Sequence, residues 1–120
     1  MRTNKMLGTN MNLDELVASV PEVELRNGLF RWVNAWKKDD SSIEDLAFLI
    51  GKWHGNVWFN NTDESNGFNE RFQAFKSMAI VGVGGLTLNE RLYWFGLFEE
   101  WDSSNESVQA RIRVKLHASA

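Results

Sequence analysis

At 120 residues, with no cysteine and a net charge of -3, the chain is sized for one domain, excludes disulfides and thiolate metal sites, and has no general attraction for phosphate backbones. No stretch reaches the roughly eighteen consecutive apolar residues of a spanning helix, and the acidic Asp14 and Glu15 arrive before any apolar signal core. These features predict a soluble cytoplasmic protein with no membrane, metal or cofactor. Six Trp and eight Phe beside a single Tyr are the outlying feature, because side chains of that size must be buried, paired or used.

Residues 1–11 are polar, aperiodic and interrupted by Gly8, which predicts a flexible leader ahead of a single domain over 12–120. Asn12 and Glu15 have capping-box spacing before a short helix, and Pro21 suits the first turn of the next. From 22 to 38, Leu25, Leu29, Trp32, Val33 and Trp36 recur at helical spacing. Gly28 inside this helix costs about 1 kcal/mol and signals a bend or a closely packed neighbour. Ser41 and Glu44 repeat the capping pattern, Ile43, Leu46, Ala47 and Ile50 share one face, and Gly51 stands at the expected stop.

Residues 53–60, WHGNVWFN, read as a strand, and 60–67 as a polar loop. Over 68–81, Phe68, Phe72, Phe75 and Ala79 fit a helix better than a strand, which would put Glu70 and Lys76 on the face of Phe68 and Phe72. Glycines 82, 84 and 85 lack the spacing of a phosphate loop and punctuate entry into a strand near 86–88.

The last third predicts an antiparallel hairpin, 91–101 against 108–118, because apolar and polar residues alternate strictly from Val108 onward. Its register sets Trp101 opposite Val108, Glu99 opposite Ala110, Leu97 opposite Ile112, Phe95 opposite Val114 and Tyr93 opposite Leu116. The resulting fold class is α+β, with N-terminal helices packed on a curved, mostly antiparallel sheet.

The stretch VNAWKKDDSSIEDLAFLIGKWHGNVWF, followed by GFNERFQAFKSM and long strands, resembles the cone-shaped nuclear-transport-factor and ketosteroid-isomerase superfamily over residues 22–118. That resemblance implies a sheet bent around helices to enclose an apolar pocket, as used by isomerases, cyclases, dehydratases and simple binders. LAFLIGKWHG is also similar to the opening of lipocalin-like barrels, where Gly51 and Trp53 would form the Gly-x-Trp motif and 68–76 would be a strand. Both resemblances leave the sheet incomplete in one chain, which implies a homodimer.

Three residues carry candidate chemistry. Glu99 lies on the apolar face of the predicted hairpin, where desolvation would raise its pKa and suit it to general acid or base work. Tyr93 shares that face and would polarise a substrate. His54, beside Trp53, is the third candidate, and with no second His or Cys nearby it makes no metal site. A pocket lined by Trp32, Trp36, Trp58, Tyr93 and Phe95 would bind a small apolar molecule.

Trp94 and Phe98 lie on the opposite face of the hairpin, which one helical layer cannot cover, so they are assigned to a dimer interface. Arg111, Arg113, Lys115 and His117 form a basic stripe whose stems can cover those rings, which argues against nucleic acid as its purpose. The acids Asp39–Asp40 and Asp63–Glu64 are accounted for as turn and loop residues. The sequence therefore points to binding of a small apolar molecule, with proton-transfer chemistry as its enzymatic version. The alternative is a non-enzymatic dimerising or partner-docking protein.

Overall fold

The computed structural model describes residues 10–103 and 105–118, and among them there are helices and no strand. In chain order these are α1 (Leu13–Ala18), α2 (Val23–Lys38), α3 (Ile43–Asn56), α4 (Thr62–Phe75), α5 (Leu88–Trp94), α6 (Phe98–Asp102) and α7 (Glu106–Lys115). A π-helical segment, Lys76–Val81, continues α4, and a single 3-10 turn covers Val83–Gly85. The expected α+β class is therefore corrected to all-helical. The curved sheet that both family resemblances imply is absent from the described residues. All but two residues of the expected leader lie outside them.

The N-terminal half follows the sequence signals closely. Asn12 and Glu15 close a reciprocal capping box, the Glu15 amide donating to Asn12 Oδ1 at 2.9 Å and the Asn12 amide to Glu15 Oε1 at 3.0 Å. Leu29, Val33 and Trp36 form the buried stripe of α2, while Trp32 stays exposed. Gly28 faces α3, where a Cβ would make only ordinary contact with Trp53 Nε1 at 4.0 Å, so packing does not require a glycine there. Helix α3 is capped by Ser42 with Asp45, one residue later than the sequence pattern suggests.

The expected strand over 53–60 is instead the end of α3 and the turn after it. Ile43, Leu46, Ile50 and Trp53 make one buried helical stripe, so burying Trp53 carries the helix past Gly51. Asn61 then caps α4 by accepting from the Glu64 amide at 2.8 Å, which turns the expected 60–67 loop into the first turns of a helix. Phe68, Phe72, Phe75 and Ala79 are all buried, so the helical reading of 68–81 holds. The π-helical segment ends at Gly82, where a Cβ would stand 2.7 Å from the Met78 carbonyl oxygen.

The expected strand near 86–88 is the lead-in to α5, where Thr87 and Glu90 form a third capping box. The expected hairpin is three helices. Leu92 and Phe95 are buried at helical spacing, and Gly96, at φ 63°, turns the chain into α6. Asn105 caps α7, whose inner face is Ile112, Lys115 and Leu116, while Val114 and Ala110 face solvent. None of the register pairs exists. The basic stripe is dispersed as well: Arg111 donates to the Lys38 carbonyl, Arg113 lies over the Trp101 ring, Lys115 is buried and His117 pairs with Glu44.

Aromatic contacts join the two halves. Phe95 of the C-terminal half packs on Trp36 of α2 and Phe75 of α4, at centroid distances of 5.8 and 5.5 Å. A second cluster sets Trp53 edge-on to Phe68 at 5.3 Å, with Phe59 beside both.

Candidate functional site

Helix α2 buries one face, yet Phe30, off its stripe, remains 56% exposed. It stands in a cleft of about 540 Å³ between α1, α2 and α6. Val17, Ala18, Phe30 and Val33 supply the apolar wall, and Asn27 and Asn34 the neutral polar groups. Asp14, Glu99, Glu100, Arg26 and Lys37 supply the charges.

Most of those charges are committed inside the protein. Lys37 Nζ donates to Asp14 Oδ1 at 2.7 Å, and Lys38 Nζ to Glu100 Oε2 at 3.2 Å. Arg26 Nη1 donates to the Val20 carbonyl at 2.8 Å and so closes the turn after α1. Gly96 leaves room for the Asp14 carboxylate, since a Cβ there would collide with Asp14 Oδ2, and nearby Asn12 Nδ2 donates to the Tyr93 carbonyl at 3.2 Å. The Glu99 carboxylate has no partner among the described residues and stands exposed at the cleft.

The structure therefore places Glu99 at the rim of a cleft with its carboxylate exposed, and not on the apolar face of a hairpin. Tyr93 does not line this cleft. It is exposed and packs edge-on against Trp94 at 5.8 Å. His54 Nε2 lies 3.2 Å from the Ser65 carbonyl and 3.1 Å from Ser65 Oγ, and its ring stacks on Phe68 at 5.5 Å, so it joins α3 to α4.

The five expected pocket residues are dispersed. Trp36 and Phe95 touch each other in the core, whereas Trp32 and Tyr93 are exposed and Trp58 is 92% exposed. Of the two expected interface residues, Trp94 is partly buried against Phe75 at 6.5 Å and Phe98 is 42% exposed. The cleft's own wall, Phe30 with Val33 and Asn34, escapes the sequence reading. Its signal is Phe30, a large apolar residue that falls outside the stripe of α2.

A second concavity, of about 580 Å³, lies between α3 and α4. Phe48, 73% exposed, stands over it with Ala47, Gly51 and Phe72. Its cations are Lys52 and Lys76, the latter 5.2 Å above the Phe72 ring, and neither forms an ion pair with a described residue.

Among the described residues no group of three or more His, Asp or Glu is placed to hold a metal ion, and no helix is long and apolar enough to cross a membrane. No family model, curated protein or solved structure matches this chain.

Proposed function

We propose that the chain binds a small, mainly apolar molecule in the cleft between α1, α2 and α6, without acting on it chemically. The observation that carries this reading is Phe30, a solvent-exposed aromatic beside Val17, Ala18 and Val33 in a concavity whose ion pairs are already formed. Covering Phe30 and the exposed Ala18 with a ligand removes apolar surface from water at roughly 25 cal/mol per Å², while Val17 and Val33 are already buried beneath them. Leaving the paired charges in place avoids their desolvation. Mainly apolar pockets with a few polar groups for orientation are the usual form of small-molecule sites.

Indole is a suitable neutral probe. Titration followed by methyl NMR is expected to shift Val17, Ala18 and Val33 saturably, and Phe30→Ser is expected to abolish those shifts. Absence of saturable shifts in the wild-type protein overturns the reading.

A second reading, self-association, is favoured by a different observation: Phe48 and Phe98 are large apolar side chains left exposed on separate surfaces of one small protein. In this reading the dimer uses helical faces, because the sheet face to which the sequence assigns it does not exist.

A further inference from the structure

We propose that the groove between α3 and α4 is the seat of helix α6 from a second copy of this chain. The inference rests on the self-association reading and assigns its two surfaces.

The groove offers an apolar floor and unpaired positive charge. Phe48, Gly51, Lys52 and Gly55 follow one another at helical spacing along the exposed side of α3, and a Cβ at either glycine would meet nothing within 4 Å. A helix-interior glycine costs about 1 kcal/mol relative to alanine. Among the described residues nothing packs against these two to explain that cost. A backbone approaching from outside would, since glycine permits the closest contact. Lys52 and Lys76 flank this surface and form no ion pair with a carboxylate among the described residues.

Helix α6, FEEWD, is complementary in both respects. Phe98 is a partly exposed ring of a size to lie beside Phe48, and Glu99 and Asp102 are exposed carboxylates with no partner among the described residues. Glu100, by contrast, is engaged by Lys38 of its own chain. A two-fold dimer would form the contact twice, groove to helix and helix to groove, which doubles the buried area and closes the assembly. Opposed charges around an aromatic centre set register and partner choice.

The test is charge reversal with complementation, read by sedimentation equilibrium. The wild-type chain is expected to be dimeric at micromolar concentration and to weaken with added salt. The double variants K52E/K76E and E99K/D102K are each expected to lose association at least tenfold. Each places like charges on both its groove and its helix. Their equimolar mixture is expected to restore a heterodimer, because both contacts again join opposite charges. Phe48→Ser should weaken the wild-type dimer without being rescued by either partner.

A dimer that both charge-reversed proteins retain overturns the assignment of these surfaces and leaves self-association standing. A wild-type chain that stays monomeric up to roughly 100 micromolar, corresponding to less than about 5.5 kcal/mol of association, overturns both.

Discussion

Lys115 Nζ donates to the Trp36 carbonyl oxygen at 2.6 Å and lies 4.2 Å from the centroid of the same residue's ring. The ammonium also donates to the Ser41 carbonyl at 2.7 Å and to Asp39 Oδ1 at 3.2 Å, and the residue is 1% exposed. A lysine of α7 thus closes the C-terminal carbonyls of α2 and the turn into α3, where the helix dipole favours a cation. Burial lowers its pKa, against the raising effect of the hydrogen bond and charge of Asp39.

Replacing this ammonium tests how far it anchors the C-terminal helix. Lys115→Ala removes the stem as well as the charge, strips the ammonium from the Ser41 carbonyl and leaves the Trp36 carbonyl only the longer bond from the Asp39 amide, so a loss of about 3 to 5 kcal/mol is expected. Lys115→Met keeps the stem and avoids a buried charge, and should recover part of that loss. Urea denaturation of the two variants beside wild type measures both; equal stability of all three proteins contradicts the anchoring role.

Glu64, packed beside Glu22, gives the acid side of the stability profile an unusual sign. Glu22 Oε2 accepts the Asn60 amide at 2.5 Å, while Oε1 of each glutamate is shielded from solvent and accepts from no other group among the described residues. Burial raises the pKa of Glu64 above its ordinary 4.5, and the neighbouring charge and hydrogen bond of Glu22 raise it further. A carboxyl that holds its proton more tightly when folded contributes stability that is complete below pH 4.5 and fades as pH rises through the raised value. Thermal melts of Glu64→Gln against wild type, between about pH 4 and 7, should show the variant gaining relative stability as pH rises. Parallel pH profiles contradict a raised Glu64 pKa.

Glu44 tests the opposite sign. Although partial burial opposes it, the hydrogen bond from His117, at 2.8 Å, and the charge on that imidazole lower the Glu44 pKa. Its contribution is present above pH 4.5 and is lost as pH falls through the lowered value. Both partners are largely exposed, so the effect is small and screened by salt. Glu44→Gln should therefore flatten the acid limb of the melting curve at low ionic strength, and adding salt should erase the difference.

The parts of this fold that were legible in the sequence are those where two independent signals agree. Asn12 and Glu15 cap the short run that carries Leu16 and Val17, a capping pattern likewise precedes the stripe of Ile43, Leu46 and Ile50, and in each case cap and stripe both point to helix. The C-terminal third misleads because Val108, Ile112 and Leu116 are spaced by four. That interval is close to one helical turn and is also a multiple of the strand period of two. What separates the alternatives is Lys115, which a strand reading sends to solvent and the helix buries. Thr87 and Glu90, a capping box ahead of Leu88 and Leu92, carried the correction within the sequence. Glu99 does reach a cleft, but the predicted hairpin gives the wrong reason for it. The Glu22–Glu64 contact joins residues forty-two positions apart through helix packing, which no local pattern encodes.

Gly96 links the turn between α5 and α6 to the candidate cleft. Its positive φ disfavours any residue with a Cβ, and a Cβ there would displace the Asp14 carboxylate from Lys37. Gly96→Ala should cost about 1 to 2 kcal/mol from the backbone alone. Gly96→Asn, which tolerates this conformation better, should cost less through the backbone while still displacing Asp14. Comparing both with Asp14→Asn in a double-mutant cycle separates the two effects; full additivity would show that Asp14 does not depend on this turn.

Gly51 and Gly55 provide a stability test that also bears on the exposed side of α3. Neither glycine is crowded within its own chain, so alanine at each position should stabilise the helix by about 1 kcal/mol through propensity. The two effects should be nearly additive, because neither added methyl meets a neighbour. In a self-associating protein the same methyls would hold an approaching helix away, so the double alanine variant should melt at higher temperature while dissociating more readily. Differential scanning calorimetry with sedimentation on one sample distinguishes the cases: higher stability with unchanged association places the contact elsewhere, and unchanged stability shows that α3 does not behave as a continuous helix through Gly51.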